Sequence, residues 1–279
     1  MRSREELPRK VKTKSRRWFS EKASRVKSGL VSVTFRRLPA AEVVRLAAEA
    51  GLVGIEWGCD VHVPHGDLAA AAEIGRLTRE AGCEVAGYGS YYKLGVSEKR
   101  GLPFARVLAT AEALGAPRLR VWAGDRNSEK TSAEQRRRIV EEAMRLAETA
   151  APSDVGIVLE FHADTLTDTA ASTRALLAEI GHSNVRTGWQ PVHNEGADVN
   201  CAGLESIGPW LEGAHVFHWW PTANERRSLC EGAGDWARYL ALIRKWRPDC
   251  FASLEFVRGD SIEQFRSDAR TLLNLLEAR

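Results

Sequence analysis

From Gly29 onward, short runs of apolar and β-branched residues alternate with longer stretches in which apolar residues recur every third or fourth position. The short runs predict strands over Leu30–Phe35, Val53–Trp57, Glu84–Tyr88, Arg118–Trp122, Gly156–Glu160, Val185–Trp189, His215–His218 and Phe251–Glu255. The periodic stretches predict helices between them, among them Ala40–Ala50, Leu68–Ala81, Pro103–Leu114, Ser132–Ala150, Thr167–Ile180 and Asp235–Trp246. Gly51, Gly82 and Gly115 stand where helices stop, and Asp67, Ser132 and Asp235 stand where N-caps are needed. Eight strand-then-helix units make either a doubly wound sheet or a closed (β/α)8 barrel. Polar, chemically capable residues end most of the eight strands, and only a closed ring brings such ends together. Val33-Thr34-Phe35-Arg36-Arg37, after the first strand, has none of the glycines of a dinucleotide-binding turn. The expected fold is therefore α/β, a single (β/α)8 TIM barrel over residues 29–279.

Composition adds an extension to that barrel. Residues 1–28 hold eleven Lys or Arg against three Glu, leaving 29 basic and 34 acidic residues in the rest, so the net charge of +3 conceals a body at −5. The basic segment reads as a solvated, disordered extension rather than a nucleic-acid arm. No apolar stretch of signal or membrane-span length follows it, so a cytoplasmic protein without membrane association is expected. Cys59, Cys83, Cys201, Cys230 and Cys250 are odd in number and scattered, without C-x-x-C, which argues against a disulfide framework and a zinc ribbon. The sequence allows a homo-oligomer without indicating one.

The candidate chemistry lies at the last four strand ends. Glu160 in Gly156-Ile-Val-Leu-Glu160 and Glu255 in Phe251-Ala-Ser-Leu-Glu255 each close an apolar run, and Gln190 and His218 close the two runs between them. A carboxylate is costly to leave unpaired inside a barrel, and the C-terminal ends of barrel strands form the mouth. Two carboxylates, an amide oxygen and an imidazole suit one divalent ion, with Mn, Mg or Co favoured and Zn allowed. Trp57, Trp122, Trp189, Trp219 and Trp220 are expected to ring the same rim, as are Tyr88, Tyr91 and Tyr92. Glu56, His62 and His65 lie at and just beyond strand two and are candidate substrate contacts, as is His162. His182 reads as a surface turn residue, and His215 as the start of strand seven, remote from the chemistry.

These residues resemble the xylose-isomerase-like TIM-barrel superfamily of sugar isomerases and epimerases, its ketose 3-epimerase branch in particular. The resemblance runs from about Gly29 to the end and rests on Leu159-Glu-Phe-His162, Gly188-Trp-Gln-Pro-Val-His193, His218 with Asn224-Glu-Arg-Arg227, Gly232-Ala-Gly-Asp-Trp236 and Leu254-Glu-Phe-Val-Arg258. It implies that Glu160 and Glu255 bind the metal and shuttle a proton on opposite faces of the substrate, that Gln190 and His218 complete the metal's shell, and that His193 and Arg226 contact the sugar; Trp122 and Trp189, from their strand-end positions, are expected to stack against it. The family usually has Asp where Gln190 stands, so one negative charge fewer would face the ion.

The resemblance thus implies a divalent-metal-dependent sugar isomerase or epimerase that abstracts a proton next to a carbonyl and stabilises the enediolate on the metal. A metal-dependent lyase or hydrolase of keto-glycosides would use the same abstraction. A non-catalytic sugar-binding protein needs no such bases. An apurinic-site endonuclease on this barrel needs a trinuclear zinc cluster, and the acidic body disfavours nucleic acid. The expected partner is a small sugar or keto-sugar.

Overall fold

The computed structural model describes residues 25–278; the basic segment up to residue 24 lies outside them. Eight parallel strands close into a barrel in sequence order: β1 (Lys27–Val31), β2 (Gly54–Gly58), β3 (Glu84–Lys93), β4 (Arg118–Trp122), β5 (Gly156–Glu160), β6 (Val185–Trp189), β7 (Leu211–Val216) and β8 (Phe251–Leu254). Closure is made by β1 on β8, with Lys27 opposite Phe251 and Leu30 opposite Leu254. Each strand is followed by a helix: α1 (Ala40–Glu49), α2 (Leu68–Glu80), α3 (Phe104–Leu114), α4 (Ala133–Ala150), α5 (Ala170–Ile180), α6 (Ala197–Ile207), α7 (Ala233–Trp246) and α8 (Ile262–Glu277). Asp67 caps α2 through the Ala70 amide, and Ser132 with Gln135 forms a reciprocal capping box on α4. Asp235 lies inside the first turn of α7 instead of capping it. Val43, Leu46, Val107, Leu146 and Leu240 present the apolar stripes of α1, α3, α4 and α7 to the outside of the barrel and are all buried.

Two strands differ from their expected bounds. β1 begins at Lys27, so the end of the basic segment is already barrel, and Ser32–Phe35 forms a short 3-10 turn whose Phe35 packs edge-on against Phe265 of α8. β7 runs over Leu211–Val216, four residues earlier at its start than the apolar run indicates, because Glu212 is a buried charge within the strand. The shift moves His215 from the remote end to the penultimate strand position, and leaves His218 two residues past the strand.

Alternation along each strand decides which residues enter the barrel. Arg118 and Arg120 of β4, Glu56 of β2, Gly87 of β3, Val158 of β5, Gly188 of β6, Gly213 and His215 of β7, and Ser253 of β8 line one interior cavity of about 50 Å³. The intervening residues face the helices. Trp57 and Trp189 are therefore not at the rim: Trp57 is fully buried and donates to Thr78 of α2, while Trp189 packs against Trp236 and Tyr239 of α7.

Candidate metal and proton-transfer site

Glu160, His215 and Glu255 bring one ligand atom each within 4.8 Å of one another at the C-terminal end of the barrel. Glu160 ends β5, His215 is next to last in β7, and Glu255 follows β8 with its amide bonded to Val216 of β7. All three are under a tenth exposed, Glu160 at 5%, Glu255 at 6% and His215 at 8%.

A guanidinium sits among them. Arg120, 4% exposed, donates through Nε to Glu56 at 2.6 Å and through Nη1 to Glu160. Trp122 Nε1 also donates to Glu160 Oε2, so one oxygen of that carboxylate carries two donors. His215 spans two other carboxylates, with Nε2 at 3.2 Å from Glu56 and Nδ1 at 3.4 Å from Glu255. Burial by itself would push the His215 pKa down, but Glu255 and Glu56 overcome it and raise it to about 10. Burial would likewise raise the carboxylates, yet Arg120 and His215 hold Glu56 well below its ordinary range, and His215 with Arg120 lowers Glu255. Among these five side chains, three carboxylates face one guanidinium and one protonated imidazole, a net charge of −1. Exchanging the imidazole proton for a divalent ion would bring the sum to zero.

That balance, the oxygen and nitrogen donor set, and one orphan atom fit a divalent ion. Gln190, directly after β6, has a buried Oε1 with no hydrogen-bond partner, an amide oxygen left free for a ligand. Arg120 Nη2 is likewise buried without a partner, packed so close to Gly89 that a Cβ there would lie 2.5 Å from it.

The other residues singled out in the sequence lie around this cluster in distinct settings. His218 is half-buried, its pKa lowered by burial, with its ring against Gly232, where a Cβ would fall 2.4 Å from Nδ1. His193, its pKa also lowered by burial, is 5.7 Å ring to ring from Trp219, and both carry a buried, unpartnered nitrogen. His193, His218 and Trp219 line a cavity of about 620 Å³ between the β6 and β7 loops, with Trp220, Glu231 and Asp235; Glu160, His215 and Glu255 do not line it. His162 stacks on Trp122 at 4.6 Å. Arg226 is paired with Asp260 at 2.7 Å and covers the Trp219 and Phe256 rings. His62 spends both ring nitrogens on Ser32 and Leu38, and His65 on Ser90 and Tyr88, so neither has a polar atom left for a substrate. Tyr88 and Tyr92 are fully buried.

Arg120 and His215 are the two members sequence reasoning missed. Arg118-Leu-Arg-Val-Trp122 puts two charges on the same face of a strand whose other face is apolar, and that alternation is the signal for an interior cation. His215 shares its strand face with Gly213, and its signal needed the correct start of β7.

The chain belongs to the xylose isomerase-like TIM-barrel family, whose profile matches residues 44–275. It is 25% identical over 278 residues to a 3-dehydroshikimate dehydratase of Bacillus anthracis, covering 89% of this chain and 97% of that protein. Among solved structures, the probable 3-DHS dehydratase AsbF of Bacillus anthracis, involved in petrobactin synthesis, superposes with a TM-score of 0.74 at 20% identity, over 89% of this chain and 99% of that one. The D-psicose 3-epimerase of Clostridium cellulolyticum H10, solved with D-tagatose, superposes with a TM-score of 0.68 at 16% identity, over 91% and 100%. Among the described residues, no helix is long and apolar enough to cross a membrane.

Proposed function

We propose that the protein is a divalent-metal-dependent enzyme that removes a proton from the carbon beside a carbonyl of a small polyhydroxylated substrate, and returns it as an isomerase or epimerase. The convergence of Glu160, His215 and Glu255 within 4.8 Å carries this reading. These three residues would hold the ion, with Gln190 Oε1 the further protein donor. When bound, a divalent ion supplies Lewis-acid polarisation of the substrate carbonyl. Glu255 is paired with His215 but not tethered by Arg120 or Trp122 as Glu160 is, and is the carboxylate freer to take the proton. Glu160, tethered by Arg120 and Trp122 through one oxygen, keeps Oε1 for the opposite transfer. Arg120 fixes Glu160 and Glu56 at once and so sets the orientation of both. The stacked Trp122–His162 pair shields the site from water and offers a flat face to a sugar ring.

A second reading, elimination, begins with the same proton removal and ends with loss of a β-substituent. Two observations favour it: the 25% identity to a named dehydratase, and Arg120 Nη2, a buried donor without a partner that suits an anionic group on the substrate. One NMR experiment addresses both. The protein with manganese in deuterated buffer is given ketohexoses and, separately, 3-dehydroshikimate. Exchange or epimer formation in the first supports isomerisation, and loss of water from the second supports elimination. Glu255→Gln is expected to reduce the active reaction by about 10²–10⁴-fold. Absence of exchange and of elimination with every substrate, or full activity in Glu255→Gln, would overturn the proposal.

A further inference from the structure

We infer that the N-terminal face of the barrel, opposite the mouth, carries a second site, an oxyanion site for a phosphate group built by Arg118, Arg186 and Arg247. Arg118 opens β4, Arg186 is second in β6, and Arg247 directly follows α7 ahead of β8, so three separate elements deliver guanidiniums to one place. They gather around a single buried carboxylate, Glu212 of β7, which is 7% exposed. Arg118 Nε donates to Glu212, Arg247 Nη2 stands 3.3 Å from it, and Arg186 Nε 3.5 Å.

One carboxylate cannot satisfy three guanidiniums, each of which has five N–H donors in a fixed fork. Among the described residues the Arg186 side chain approaches Glu212 as an ion pair without a hydrogen bond, and Arg247 Nε is buried with no hydrogen-bond partner. Two further carboxylates are near. Asp249 lies 3.2 Å from Arg247 Nε, and Asp154 forms part of the wall. The three arginines border a cavity of about 260 Å³ that also includes Ser183, Asn184 and the Gly156 backbone. At a share of liquid volume of about 30 Å³ per water, that holds a phosphate with several waters. The arginine side chains are 26%, 36% and 27% exposed, so a ligand can reach their forks from solvent while their stems stay anchored. Converging planar forks match the several oxygens of a phosphate better than a compact halide. The site shares no residue with the Glu160, His215 and Glu255 cluster, and its test does not require the proposed reaction.

The rival explanation is that the arginines only tie strand ends together through Glu212. Isothermal titration with inorganic phosphate, run against chloride at matched ionic strength, separates the two. The wild type is expected to bind phosphate saturably and to melt higher in phosphate than in chloride. Arg186→Gln leaves Glu212 its two nearer partners, and is expected to melt like wild type in chloride while binding phosphate about tenfold more weakly. Asp154→Asn removes a facing negative charge and is expected to bind several-fold more tightly, which keeps the test open should Arg186→Gln fail to fold. Equal effects of phosphate and chloride on the wild type, or phosphate affinity unchanged in either folded variant, would overturn the assignment.

Discussion

The two ends of the barrel are built from the same residue types in opposite proportion. At the mouth one guanidinium, Arg120, stands among Glu56, Glu160 and Glu255; at the base one carboxylate, Glu212, stands among Arg118, Arg186 and Arg247. Arg118 and Arg120 face the same way on one strand two residues apart, roughly 7 Å along it, yet one stands among guanidiniums and the other among carboxylates. Between the two ends the interior is lined by Gly87, Val158, Gly188, Gly213 and Ser253, which add no charge. What distinguishes the ends is therefore which charge is enclosed and which surrounds it: one buried guanidinium among carboxylates at the mouth, one buried carboxylate among guanidiniums at the base, with Asp154 and Asp249 beside them.

The severest way to break the contrast is to remove the guanidinium buried among the mouth's carboxylates. Arg120→Met leaves Glu160 enclosed without its cation and Glu56 with His215 alone, a type of change that costs about 3–5 kcal/mol. For a chain of this size that is roughly 10 °C in melting temperature. Scanning calorimetry is expected to show this loss in metal-free buffer and a smaller one in excess manganese, since a divalent ion supplies the positive charge that was removed. An unchanged midpoint would mean that the carboxylates do not depend on Arg120.

Part of this was legible from the chain alone, and the boundary of legibility is physical. The eight βα units could be counted because buried parallel strands are short apolar runs and the helices keep a period near 3.6. Glu160 and Glu255 stood out because each interrupts such a run at its end. His215 did not, because Glu212 masks the start of β7 and the apolar run slides toward His218. Trp57 and Trp189 were grouped with Trp122 by position along their strands, whereas the period of two sends them outward. The arginine cluster was invisible because Arg118, Arg186 and Arg247 are separated by dozens of residues, and only closure of the barrel makes them neighbours.

A milder perturbation sharpens the comparison through protons. His215 has its pKa raised to about 10 by Glu255 and Glu56, far above the ordinary histidine value of about 6.5. Its ion pairs therefore contribute stability that is full below about pH 6.5 and is lost as pH rises through about 10. A divalent ion at the mouth must displace that proton, so its affinity is expected to rise with pH across the neutral range, by up to about tenfold per unit. Calorimetric titration with manganese in two buffers of different ionisation enthalpy is expected to report about one proton released per ion bound. Release of no proton would show that His215 is not displaced. The arginines at the base stay charged throughout and contribute no such slope.

The smallest effect comes from a third kind of enclosure, a carboxylate held by neutral donors. Asp268 of α8 is 3% exposed and accepts from the Leu229 amide at 2.9 Å, Gln264 Nε2 at 2.8 Å and Ser228 Oγ at 3.2 Å. Burial raises its pKa, and these donors, with the more distant Arg258, offset only part of that rise. Because the folded value lies above the ordinary aspartate value of about 3.9, Asp268 contributes stability below that pH and loses it as pH climbs through the folded value. Asp268→Asn keeps an acceptor oxygen for the same donors and does not titrate. The stability of the variant relative to wild type is thus expected to improve between about pH 3.5 and about pH 7, in urea midpoints measured at both ends of that range. A shift in favour of wild type would mean that neutral hydrogen bonds alone stabilise a buried carboxylate here, and the need for cations at the mouth would then rest on crowding of three carboxylates rather than on the burial of each.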